Sequence, residues 1–98
     1  MKEHIFNGFV DNICKHTRIT REEFFKPNQN SEIVLARHTL FYLCHQRGIT
    51  TAMIKLYMEN NGSSLNRSPI THGISVIESK IKEDADLQLV IDKLSILD

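Results

Sequence analysis

The stretch Asn61-Gly62-Ser63-Ser64-Leu65-Asn66-Arg67-Ser68-Pro69-Ile70-Thr71-His72-Gly73-Ile74-Ser75-Val76-Ile77-Glu78-Ser79-Lys80-Ile81 decides the fold. Asn61-Gly62 closes a preceding helix, and Ser63 to Arg67 reads as a polar turn. Ser68-Pro69 then joins a capping hydroxyl to a proline at the first helical position, where the missing N–H leaves no bond unmade. Behind them Ile70, Ile74, Ile77 and Ile81 recur at helical spacing and build one apolar face. Thr71, Ser75 and Glu78 fall on the outer face. A short helix, a turn containing glycine and a second helix with a polar outer face make a helix-turn-helix arrangement. In that geometry the second helix, here Ser68 to Lys82, can enter a DNA major groove and point its amino-terminal side chains at base edges.

Upstream, the chain reads as four further helices. Ile5, Phe6, Phe9, Val10, Ile13 and Cys14 form one stripe on an amphipathic helix over residues 3–17. Thr20 and Glu23 have the spacing of a capping box, which opens a short helix through Phe24 and Phe25. Pro27 stops it, and Asn28, Gln29 and Asn30 read as a polar loop. Ser31 is placed to cap a long helix carrying Ile33, Ala36, Leu40, Leu43 and Cys44, with Gly48 as its terminator. Thr50 or Thr51 starts the helix of Met53, Ile54, Leu56, Tyr57 and Met58. Downstream, a last helix from about Asp86 is expected to bury Leu87, Val90, Ile91, Leu94 and Leu97. No stretch alternates as a strand does.

With 98 residues, 41% of them hydrophobic and 24% charged, the chain fits a single soluble domain with one core. No apolar run approaches the ~20 residues that span a bilayer, and the amino terminus lacks a signal-peptide core, so the expected location is the cytoplasm. Twelve basic residues balance twelve acidic ones, which argues against a broad electrostatic grip on nucleic acid. The balance is uneven, however. Residues 11–55 carry seven Lys or Arg against four acids, while residues 83–98 carry five acids and one lysine.

Other chemistry finds little support. His4, His16, His38, His45 and His72 lack the tight spacing of zinc ligands, even with Cys44 beside His45. Ser68 and His72 do not sit in a nucleophile elbow, and no glycine-rich oxyanion loop adjoins them. A phosphate-binding G-x-x-x-x-G-K-[ST] loop is absent. Cys14 and Cys44 read as reduced packing residues. The reading is a protein that is not an enzyme, with no cofactor and no metal.

The order of several short motifs resembles the carboxy-terminal DNA-binding domain of the bacterial replication initiator DnaA. Ile19-Thr-Arg-Glu-Glu-Phe24 is similar to that family's I-S-x-E-D-L, and Ser31-Glu-Ile-Val-Leu-Ala-Arg-His38 to its R-E-I-V-x-P-R-Q. Leu40-Phe-Tyr-Leu43 followed by Gly48-Ile-Thr50 resembles A-M-Y-L…L-T. Asn66-Arg-Ser-Pro-Ile-Thr-His-Gly73 resembles the signature D-H-T-T-V-L-H-A. The likeness runs from about Ile5 to Leu97. It departs where the family's arginine-rich loop becomes Lys26-Pro-Asn-Gln-Asn-Ser31, and where Asn66 and Pro69 replace aspartate and threonine.

The resemblance implies a compact all-α domain over residues 1–98, of about six helices containing a helix-turn-helix, Trp-repressor-like in class. It implies double-stranded DNA as a partner, an initiator or another replication protein as a second, and a role in replication initiation or its regulation. Asn66, Arg67, Ser68, Thr71 and His72 are then expected at bases and phosphates, with Lys26, Arg37 and Lys55 holding the backbone. The competing expectation, favoured by the neutral charge and the depleted loop, is a protein-interaction module that keeps the fold without using DNA. A membrane partner is not expected.

Overall fold

The computed structural model describes residues 2–27 and 30–97. Six helices follow in order: α1 (Lys2–Thr17), α2 (Arg21–Phe25), α3 (Ser31–Gln46), α4 (Thr51–Asn60), α5 (Arg67–Glu83) and α6 (Ala85–Leu94). The described residues contain no strand, so the fold is all-α. No helix among them is long and apolar enough to cross a membrane.

Local signals set most boundaries. Thr20 and Glu23 make both halves of the capping box that opens α2, and the Thr50 hydroxyl accepts from the Met53 N–H to open α4. Two caps differ from expectation. Asn30, not Ser31, caps α3, because its side chain accepts from the Glu32 N–H while Ser31 is already helical. Asn28 and Gln29 of the expected polar loop lie outside the described residues. At α5 the cap position is Asn66, and Ser68 and Pro69 lie within the first turn. Proline needs no partner anywhere in that turn, so the helix starts before it rather than at it.

Three helices end in the same way. After α1, Arg18 adopts a left-handed φ of 60° and the Ile19 N–H donates to the Cys14 carbonyl at 3.2 Å. Gly48 (φ 79°) and Gly62 (φ 89°) play that part after α3 and α4, with Ile49 donating to Cys44 and Ser63 to Met58. Each turn satisfies a carbonyl that the helix end would leave bare. Ile19, Ile49 and Ser63 are then carried inward, and all three are buried.

The core gathers Phe6, Phe9, Phe24, Phe41, Leu40, Ile54, Met58, Ile70 and Ile77, all at or near zero exposure. Tyr42 and Met53, beside that core, are only half-buried. On α6, Ile91 and Leu94 are buried, whereas Leu87 and Val90, and Leu97 beyond the helix end, stay partly open. Helix α3 is the centre of the molecule, packed on α1, α2, α4 and, most extensively, α5. The α3–α5 seam is close because Gly73 faces α3: a methyl group there would lie 2.6 Å from Cδ2 of His38. Gly73 meets His38 and Phe41, while Val76 and Lys80 share a cleft with Val34, Leu35 and His38, so the two helices run antiparallel. Asn12 on α1 ties down the end of α6, donating from Nδ2 to the carbonyls of Leu94 and Ile96, each at 2.9 Å.

Candidate nucleic-acid interface

Helix α5 buries Ile70, Gly73, Ile74 and Ile77, and this inward face fixes what points outward. Arg67, Ser68, Thr71, His72 and Ser75 are all exposed, and their spacing puts them on one face of the amino-terminal half. No carboxylate stands among them; Glu78 and Glu83 come later in the helix. Four helix starts have a side chain accepting from the first turn: Thr20, Asn30, Thr50 and Asp84. At α5 the Asn66 side chain accepts nothing, and the first turn holds no acid. The positive end of the α5 dipole is left uncompensated.

The turn before α5 is held from three sides. Arg21 on α2 donates through Nη2 to Oδ1 of Asn61 at 3.2 Å and to Oδ1 of Asn7 at 3.0 Å. Its Nη1 pairs with Asp11 at 2.9 Å, and its guanidinium stacks over the Phe25 ring. Asn61 in turn donates to the Tyr57 carbonyl. One arginine thus links α1, α2 and the α4–α5 turn. Sequence reasoning passed over Arg21, since its four partners are scattered along the chain; only its place in the capping-box helix marked it.

The expected backbone-holding cations behave differently from one another. Lys26 is exposed at the end of α2, beside the Asn61-Gly62 turn across a cleft of about 370 Å³. It pairs with Glu22 at 2.8 Å, and each group strengthens the other's charge: a hydrogen bond first, then proximity, lower the Glu22 pKa and raise that of Lys26. Lys55 pairs with Glu59 one turn on. Such exposed same-helix pairs are worth only ~0.3–0.5 kcal/mol, so either lysine can be given up to a phosphate at small cost.

Arg37 is engaged within the fold. Its guanidinium is half-buried and donates to the carbonyls of Phe24, at 2.7 Å, and Lys26. Burial lowers its pKa. Arg37 therefore clamps the carboxyl end of α2, the acceptor end of a helix. Arg67, by contrast, is exposed with no ion pair among the described residues.

His72 also meets α3. Its ring stands edge-on to that of His38, with centroids 5.8 Å apart. Among the described residues no group of three His, Cys, Asp or Glu could hold a metal ion, and both cysteines are free.

Comparison with known protein families, with characterised proteins and with solved structures returns no match for this chain.

Proposed function

We propose that this chain is a non-catalytic, double-stranded DNA-binding domain, with α4 and α5 acting as a helix-turn-helix. The observation that carries the reading is the amino-terminal face of α5: exposed, polar, free of carboxylates and left without a side-chain cap. Such a face suits a groove-inserted helix, because a carboxylate there would be repelled by phosphates and could pair only with a base amino group. Arg67, Ser68, Thr71 and His72 would reach base edges or phosphates, and Asn66 the backbone at the helix entrance. Lys26 and Lys55 would exchange their intrahelical acids for phosphates. Arg37 contributes by holding α2, and with it Lys26, in place. The resemblance to the DnaA carboxy-terminal domain extends the proposal to replication initiation or its regulation in the cytoplasm, alongside an initiator or another replication protein. That extension rests on likeness of sequence motifs.

Zero net charge, and cations that are already engaged, favour a second reading in which the fold serves protein interaction alone. Fluorescence-anisotropy titration of a random duplex pool at low salt, with wild type beside Arg67→Ala, separates the two. DNA binding predicts saturable association weakened by the substitution, with a log–log salt slope shallower than about five for so few phosphate contacts. Absence of binding at ~100 μM, where non-specific DNA binders register, would refute it.

A further inference from the structure

Four large apolar side chains are exposed among the described residues, and three of them, Leu35, Leu89 and Ile96, lie on α6, its tail and the start of α3. Between α1, α3 and α6 runs a mostly apolar cleft of about 360 Å³, lined by Ile13, Leu35, Ala36, Leu87, Val90 and Leu94 with Glu32 among its few polar residues. His16 and Leu94 also line a second cleft of about 540 Å³, together with Lys15, Lys93 and Ile96. None of these three basic groups has an ion-pair partner among the described residues.

The complement stands beside the cleft. Asp86, Leu89, Val90 and Lys93 lie at i, i+3, i+4 and i+7 along α6, so they share one flank. Val90 lines the cleft, and Leu89, 67% exposed, stands out next to it. Glu83, Asp84 and Asp86 gather exposed carboxylates at the amino end of the same helix, none of them in an ion pair. A two-fold interface uses the same patch on both subunits, so that patch must carry both a knob and the hole that receives it. This face does, and it sets opposite charges beside them in a chain whose net charge is zero.

We propose that this face is a homodimer interface: a second copy docks its α6 flank here, Leu89 entering the apolar cleft and Asp86 meeting Lys15 and His16. The arrangement leaves the amino-terminal end of α5 open. Val76 and Lys80 of α5 pack beside the start of α3, next to the cleft, and Arg67 lies nine residues earlier, about 14 Å further along the helix. Dimerisation goes beyond the DNA reading and does not depend on it.

Sedimentation velocity of the DNA-free chain between ~1 and ~300 μM tests the proposal. The mass should rise from one chain of 11.3 kDa toward two, with a midpoint of roughly 10–100 μM, as small transient interfaces give. Leu89→Asp should weaken association at least about tenfold with unchanged helicity, since the side chain is exposed in the single chain. Lys15→Asp and Asp86→Lys should each weaken it, and the two together should restore part of it. A wild type that stays monomeric to ~300 μM overturns the proposal and leaves the cleft to an acidic amphipathic helix of another protein. Association unaffected by Leu89→Asp overturns it too, because another surface must then be responsible. Loss of DNA binding with dimerisation intact would sink only the DNA reading.

Discussion

Replacing Gly73 by alanine adds one methyl group in the narrowest part of the α3–α5 seam. It would lie 2.6 Å from Cδ2 of His38 and 3.0 Å from Cδ2 of Phe41, against the 3.5–4.0 Å at which carbon atoms rest. Phe41 is 2% exposed and has nowhere to go, while His38 is half-buried and backed by His72. In a helix free of neighbours the change would stabilise by about 0.8–1 kcal/mol. Overpacking a seam of this kind costs about 1–3 kcal/mol. The net expectation is a loss of about 1–2 kcal/mol, or roughly 5–15 °C in Tm for a domain of this size. Urea denaturation followed by circular dichroism measures it. In a His38→Ala background the closest clash is gone and only the Phe41 contact remains, so the same Gly73→Ala change should cost clearly less, giving a coupling of about 1 kcal/mol. Gly8→Ala is the control. Its methyl meets only the end of the half-buried Leu97 side chain at 2.8 Å, which can move aside, so the propensity gain should survive. A Gly73→Ala variant more stable than wild type would refute the close antiparallel seam.

Arg37→Met should cost about 2 kcal/mol, because two backbone carbonyls lose charged donors, and Arg37→Lys should recover less than half; denaturation midpoints read both. Burial first, then His72 and Lys80, hold the His38 imidazole below its ordinary range. Between the folded and unfolded pKa values the unfolded chain binds more protons, so stability should fall as pH drops below ~6.5 and level off below the folded value. His38→Gln should reduce that slope, and an unchanged slope in the variant would contradict the assignment. Burial pushes the Cys44 thiol up to about 12 and raises that of the half-buried Cys14. At pH 8 a thiol reagent should label Cys14 slowly, and Cys44 only after denaturant is added.

Features whose partners lie within one turn of chain were legible in the sequence. The Thr20–Glu23 capping box and the terminators Gly48 and Gly62 each depend on residues two to five positions apart, and each stands as read. The isoleucine stripe of α5 was legible for the same reason, since helical period alone decides it. Cap positions slipped by one or two residues at Asn30 and Asn66, where neighbouring Asn and Ser compete for one geometric role. Arg37 was beyond reach. A basic residue on a polar face looks identical in sequence whether it meets solvent or the end of another helix. The Arg21 network, the His38–His72 contact and the cleft beside α6 are likewise products of how helices cross. Within the candidate site, the exposed face from Arg67 to Ser75 followed from periodicity, while the partners of its supporting cations did not.

The three turns at Arg18, Gly48 and Gly62 also bear on how quickly the chain finds this shape. Each is closed by a hydrogen bond reaching back only five residues, and loops so small close in well under a microsecond. The chain therefore reverses direction at each of these points without waiting for a distant partner. During synthesis, at ~5–20 residues per second, each turn can form before the next helix is complete. The step that remains is non-local: α5 must lie down along α3, bringing Gly73 against His38 and Phe41 from more than thirty residues away. Among the described residues Arg18 is the one non-glycine with a left-handed φ, so a glycine there should ease the first turn without touching that docking step.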